Sequence, residues 1–415
     1  MTESIRCEVG APGADPSRPR PLATSILRLI WDEENISRAD IARRLDVSRS
    51  TVSEIVDALL PTRLVAEAGT GASSGGRRPI VLAFQYEAFS LLGVDIGASH
   101  VSVVVTDLRG RVRAWQHQEF EVHGDPEGTR QLIVKLCDAC LGMIDVEAAP
   151  LLGIGVALPS PMDPRHPERV SRLAMVHWDG RHGLEALSAH YGVPVLLDND
   201  ANLGALAEHW WGAARGLSDF TFIKIATGIG AGHFIGGRIY RGAGGVAGEI
   251  GHVTIDVHGH PCICGNRGCL TTYVGSQELV KRAQELAPEY PSSEFAAGEI
   301  TTISLEAAAK AGDPLASRVV HEAAEHIGAV IAGMLNLLNP AAVILGGGLP
   351  KLRDQVLVPI RETVLRRTFV SAVASSEIHV STLGDRGIAV GAATLVLDAV
   401  LQDPKALLPT SAPSP

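Results

Sequence analysis

Between residues 248 and 269 the chain places three thiols and three imidazoles, His252 foremost, in a short, glycine-rich stretch. It reads Gly248-Glu249-Ile250-Gly251-His252, then Cys262-Ile263-Cys264-Gly265-Asn266-Arg267-Gly268-Cys269. One histidine and three cysteines are the donor set of a closed tetrahedral zinc site. The glycines let the backbone double back so that three sulfurs converge on one point. A disulfide is the poorer reading, because Cys262 and Cys264 are too close to bridge comfortably. One zinc ion per chain is therefore expected on His252, Cys262, Cys264 and Cys269, with His258 and His260 as alternative imidazoles.

A second feature lies upstream. Ile26, Leu27, Ile30 and Trp31 mark one amphipathic helix, and Ser37 can cap a second, whose inner face is Ile41, Ala42 and Leu45. Asp46-Val47-Ser48 makes a tight turn. A third helix follows with Val52, Ile55, Val56, Leu59 and Leu60 at helical spacing. This is the order of a helix-turn-helix. The third helix leaves Arg49, Ser50, Thr51 and Ser53 outside, short polar groups that suit base edges in a major groove. Two strands, Leu64–Ala66 and Pro79–Leu82, flank a glycine-rich loop ending in Arg77 and Arg78, which reads as a wing that touches phosphate or the minor groove. Residues 17–78 carry ten arginines against eight acidic residues, whereas the whole chain has a formal net charge of −10. DNA contact must then be local to this head. A small helical oligomerisation domain is the competing reading.

Downstream, Leu91–Gly97, Val101–Asp107 and Val112–Trp115 read as strands joined by tight turns. A second strand-glycine-strand unit spans Phe220–Ile235, and Gly346-Gly347-Gly348 follows the strand Val343–Leu345. Two such units predict a duplicated α/β fold of actin-like, two-lobed type with a ligand cleft between the lobes. Asn199 and Asp200 end a strand and open a helix. They can bind adjacent sugar hydroxyls, or simply cap the helix. The expected layout is a disordered leader (1–20), an all-α-plus-wing winged helix-turn-helix domain (21–88), the two-lobed domain (89–404) and a disordered tail (405–415). Cys7 falls in that leader. Cys137 and Cys140 sit at helical spacing and read as buried apolar residues.

The motif Gly-His, a spacer of nine residues, then Cys-x-Cys-Gly-x-x-Gly-Cys resembles the signature of the ROK proteins (repressors, open reading frames and sugar kinases), whose spacer is about ten. The resemblance extends over residues 21–402. It implies a sugar or sugar-phosphate ligand, with Glu249 and His252 as further sugar contacts. It also implies that Asp200 would be the catalytic base if the chain were a kinase. Pro159–Asp163 and Trp178 resemble loops bordering the family's sugar pocket. Two departures stand out. Thr271 replaces a glutamate that usually holds a sugar hydroxyl, and Asp95-Ile96-Gly97-Ala98-Ser99-His100 replaces the kinases' Asp-x-Gly-Gly-Thr-Lys. The lysine position thus carries a largely neutral imidazole, and phosphate binding is expected to be impaired.

Apolar residues make up 46% of the chain and no apolar run is long enough to span a membrane, so a cytoplasmic protein is expected. The combined reading is a DNA-binding repressor of carbohydrate genes, not an enzyme. Its partners would be operator DNA, a sugar effector and further copies of itself as dimer or tetramer. The alternatives are an ATP-dependent sugar kinase with an added head, and a regulator answering to a protein partner.

Overall fold

A computed structural model describes residues 7–9, 21–70, 79–368 and 376–404. The head opens with α1 (Leu22–Asp32), α2 (Arg38–Leu45) and α3 (Arg49–Leu59). Ser37 caps α2 by accepting from the Asp40 amide, and its hydroxyl also donates to Asp40 Oδ2 at 2.6 Å. Asp46 in the left-handed region turns the chain, Val47 packs inward, and Ser48 caps α3 through the Thr51 amide. The wing strands are β3 (Val65–Thr70) and β4 (Ile80–Phe84). A short strand that hydrophobic alternation did not signal, β2 (Ile36–Ser37), adds to β4, giving the order β2-β4-β3. Arg77 and Arg78 lie outside the described residues.

The leader differs from expectation in one place. Cys7–Val9 form β1, paired parallel with Val195–Leu197. Sheet edges present a row of unpaired backbone groups, which an extended segment can satisfy whatever its side chains. A side-chain pattern could not announce this strand. The rest of the leader and the tail from 405 onward lie outside the described residues.

The two lobes share one strand plan. Lobe 1 holds β5 (Ser90–Ile96), β6 (His100–Thr106), β7 (Val112–Glu119), β8 (Leu151–Leu158) and β9 (Val195–Asn199). Its sheet runs β1-β9-β8-β5-β6-β7, with α4 (Pro126–Leu141) and α5 (Glu185–Tyr191) on it. Lobe 2 holds β10 (Phe220–Ile225), β11 (Ile229–Ile235), β12 (Arg238–Tyr240), β13 (Ala342–Gly347) and β14 (Glu377–Val380), in the order β12-β11-β10-β13-β14. In both, the first strand has two antiparallel neighbours in succession on one side and two parallel ones on the other. That repetition is the duplication expected from the two glycine turns. Helices α7 (Thr271–Val274), α8 (Ser276–Leu286), α9 (Glu294–Ala297), α10 (Thr302–Lys310), α11 (Pro314–Leu338) and α12 (Asp354–Arg367) cover lobe 2. On α4, Cys137 and Cys140 are buried, as apolar residues would be, and burial pushes the Cys140 thiol up to about 11.

Two helices join the lobes. α6 (Asp200–Trp211) leaves lobe 1 at the end of β9 and packs on β10 and β11 of lobe 2. α13 (Gly387–Gln402) packs on α6 and back onto β5 and β8. The approach is backbone to backbone. A Cβ on Gly155 would lie 1.8 Å from the Ala392 carbonyl oxygen, and one on Gly391 would lie 1.9 Å from that of Leu203. Only glycine permits such contact.

The head is not insulated from this hinge. Thr24 Oγ1 donates to the Gln402 carbonyl at 2.7 Å, and Arg28 faces Asp398 at 3.7 Å. The Trp31 ring meets Trp210 edge-on at 5.0 Å and Trp211 at 6.2 Å. Arg109 lies over that ring at 4.4 Å and donates to the Trp31 carbonyl at 2.7 Å. One apolar core runs from Ile26, Leu27 and Ile30 through Leu203 to Val400 and Leu401.

Candidate functional site

The four thiol and imidazole residues converge. One donor atom from each of His252, Cys262, Cys264 and Cys269 lies within 4.8 Å of all the others. Cys262 Sγ is 3.5 Å from His252 Nδ1, and Cys264 Sγ is 3.6 Å from Cys269 Sγ. Zinc bonds of ~2.3 Å to sulfur and ~2.0 Å to nitrogen give tetrahedral edges of about 3.5–3.8 Å, so the donors fit such an ion. A disulfide would need about 2.05 Å. His258 and His260 stand outside this group. The loop is closed by its own backbone: Cys262 N donates to Asn266 O, and Ile255 N to Gly268 O, both at 2.8 Å. Gly248 anchors it to lobe 2. Its φ is +100°, and a Cβ there would lie 1.9 Å from the Ala231 carbonyl oxygen. The backbone hydrogen bond from Asn266 pulls the Cys264 thiol down, while burial pushes the Cys269 thiol up to about 12. Burial lowers the His252 pKa, which favours the neutral, ligating form of the ring.

Between the lobes lies a cavity of about 350 Å³ lined by Asp95, His100, Lys224, Gly346, Gly347 and Lys351, among others. Asp200, at the first turn of α6, is buried, and its Oδ2 accepts from Lys224 Nζ at 2.5 Å. Burial raises the pKa of Glu249, and the nearby charge of Asp200 raises it further. Asn199 is the cap of α6. Its Oδ1 accepts from the amides of Ala201 and Asn202, and its Nδ2 donates to the Ser160 carbonyl at 3.2 Å. One amide hydrogen therefore remains for a ligand. Trp178 is buried in the core of lobe 1, its indole donating to the Val122 carbonyl at 3.0 Å.

The His100 imidazole faces Asp95. Burial works against its charge, but the hydrogen bond and charge of Asp95, 3.4 Å away, outweigh that and raise the pKa. Two charged residues, the cavity-lining Lys224 and Arg241, were not anticipated. Lys224 interrupts an otherwise buried strand, and that interruption was the available signal. Arg241 holds the fully buried Asp198 through Nε at 3.0 Å and also through Nη2, and only tertiary structure brings these two together.

On the head, Arg49 and Ser50 are exposed, and Thr51 and Ser53 are half-buried. The Ser48 hydroxyl lies 2.7 Å from Ser50 Oγ and 2.8 Å from Thr51 Oγ1, so the cap also orders these two side chains.

This fold and motif agree with the comparison of the sequence with known families: the ROK family pattern matches residues 91–399. The chain belongs to the ROK family. Residues 21–62 match the MarR family, which places a winged-helix head before the ROK domain. The xylose repressor of Bacillus subtilis (strain 168) is 31% identical over 373 residues, 90% of this chain and 94% of the repressor. A solved ROK family transcriptional regulator, described as a homolog of the Escherichia coli MLC protein, superposes with a TM-score of 0.79 at 25% identity. It covers 92% of this chain and 96% of that one. A ROK glucokinase from Streptomyces griseus, solved with glucose and AMPPNP, has a TM-score of 0.65 at 29% identity. It covers 98% of the kinase but 74% of this chain. The kinase thus accounts for the ROK domain and leaves a part the size of the head unmatched. No helix of the described residues is long and apolar enough to cross a membrane.

Proposed function

We propose that this chain is a sugar-responsive transcriptional repressor of carbohydrate genes, working in the cytoplasm as a dimer or tetramer. One observation carries the reading: the two helices that hinge the lobes also hold the head. α6 starts at Asp200, which is paired with the cavity-lining Lys224, and ends at Trp210 and Trp211 against Trp31, and α13 ends at the contacts with Thr24 and Arg28. Twelve helical residues span about 18 Å as a stiff rod. Closure of the lobes on a ligand would therefore move the head.

In this reading Asp200 and Glu249 accept from sugar hydroxyls, Asn199 donates its remaining amide hydrogen, and His252 offers the ring nitrogen that does not serve the metal. Zinc, held by His252, Cys262, Cys264 and Cys269, would supply a structural crosslink and no open coordination position. The exposed end of α3, with Arg49, Ser50, Thr51 and Ser53, would meet base edges, and Arg77 and Arg78 would meet the DNA backbone.

The kinase reading draws on the retained Asp95, Asp200 and Gly346–Gly348 and on the likeness to the glucokinase. Against it, Asp200 is already paired with Lys224, so a base there would have to leave an ion pair before taking a proton. The test is full-length protein on the DNA upstream of its own gene, titrated with a panel of sugars, beside an assay for ADP release. Sugar-dependent DNA binding without turnover supports the repressor. Turnover of ATP with any sugar supports the kinase.

A further inference from the structure

Lys224 stands on β10, the central strand of lobe 2, where the flanking residues Phe222, Ile223 and Ile225 are buried. Its side chain is nearly buried too, with 13% exposed, and it lines the cavity between the lobes. The carboxyl of Asp200 is 7% exposed and that of Asp95 3%. Two carboxylates taken out of water against one another are costly unless a cation sits between them. Lys224 is in contact with the first and interacts electrostatically with the second. The other charged groups facing Asp200 are Glu249 and, beyond Asp95, His100.

We propose that Lys224 is a positioning residue of the effector site. Its ammonium, 2.5 Å from Asp200 Oδ2, fixes that carboxylate in its acceptor form, so that Oδ1 can take a hydrogen bond from a neutral sugar hydroxyl with no nucleotide or divalent cation in the cleft. This rests on Asp200 being an effector contact. It also selects the ligand class. Asp95, Asp200 and Glu249 outnumber the cations facing them, and the ammonium is already engaged, so this end of the site suits a hydroxyl and opposes a phosphate.

The carboxylate needs that partner, because burial and the neighbouring Asp95 both pull the Asp200 pKa up, against the attraction of Lys224. The protonated acid can donate but has lost part of its acceptor capacity. Without Lys224, Asp200 should take up its proton at a pH about 1–3 units higher, the usual effect of removing an opposite charge in contact.

The first arm of the test uses no ligand. In full-length protein labelled with 13C at aspartate carboxyls, the Asp200 signal is assigned by its loss in Asp200→Asn and followed with pH. In Lys224→Met its titration should move up by about 1–3 pH units, and in Lys224→Arg it should stay near that of the native protein. An unmoved titration in Lys224→Met overturns the proposal. The second arm measures sugar affinity by calorimetry. The native protein and Lys224→Arg should bind with little change between pH 6 and pH 8, as ~one retained cation implies. Lys224→Met should bind at least ~10-fold more weakly at the acid end and recover as pH rises, because Asp200 then ionises. A phosphorylated sugar that binds more tightly than its parent, and loses that advantage in Lys224→Met, would overturn the proposal by giving the ammonium a ligand of its own. If the titration moves but no sugar binds the native protein, the role of Lys224 toward Asp200 stands and the effector reading of the cleft falls.

Discussion

Trp31→Ala should cut the response of the head to the cleft. Its ring is half-buried between the head and the ends of α6. The edge-on contact with Trp210 is worth about 0.5–1.5 kcal/mol. Arg109 over the ring adds about 0.5–1 kcal/mol. The indole N–H, which donates to the Leu108 carbonyl at 3.3 Å, contributes about 1 kcal/mol. The substitution therefore removes about 2–3.5 kcal/mol of docking energy. Coupling between two ligands of an allosteric protein is usually about 1–3 kcal/mol, or about 5–150-fold in affinity. The loss is as large as the whole effect it would have to transmit. Fluorescence anisotropy on upstream DNA, with and without saturating sugar, gives the ratio of affinities directly. The native ratio should lie in that range, and Trp31→Ala should bring it to within about threefold of one. Trp31→Phe keeps a ring under Arg109 and should fall between them. Circular dichroism and metal content establish that the ROK domain is intact. A folded Trp31→Ala protein with the native ratio would refute transmission through this contact.

Three further outcomes follow from particular residues. Cys264→Ser should lower bound zinc from about one per chain to well below that, and lower the unfolding temperature, since metal binding is coupled to folding; a native protein that is metal-free and stable would remove the metal centre. Arg77→Ala should weaken binding to all DNA alike and reduce the salt slope by about 1, whereas Arg49→Ala and Ser53→Ala should each cost about 1–3 kcal/mol on the operator and less elsewhere. Glu249 has its pKa raised by burial and by Asp200, so it should protonate above the ordinary ~4.3. Sugar affinity should fall on acidification through that raised value, and Glu249→Gln should flatten this acid limb in a calorimetric pH series.

What the sequence made legible was whatever rests on local spacing. The three head helices, their serine caps and the turn at Asp46 follow from side chains within a few residues of one another. So does the cysteine loop, where closely spaced glycines let the three sulfurs converge with His252. The duplicated lobes were readable because each central strand is followed by a glycine turn. What escaped depends on partners far along the chain. β1 pairs through backbone alone, and Arg241 reaches Asp198 from 43 residues away. Trp31 was readable as one apolar position of a helix, yet its neighbours Trp210 and Trp211 lie on another helix across the hinge. The head accordingly shares its core with the ROK domain, although the change of pattern near residue 88 suggested separate modules. Asn199 was readable in two ways, and its capping hydrogen bonds to Ala201 and Asn202 are the ones formed.

If α6 and α13 couple the cleft to the head, the two are energetically one system. Linkage makes this testable without knowing the path: if a sugar changes operator affinity by some factor, operator must change sugar affinity by the same factor. The decisive measurement is sugar binding to full-length protein, by calorimetry, in the absence and presence of saturating operator DNA, set beside operator affinity with and without that sugar. The two ratios should be equal, each in the range of about 5–150, with sugar and operator weakening one another's binding, as for an inducer. Two ratios of one, with both ligands bound, would contradict that coupling.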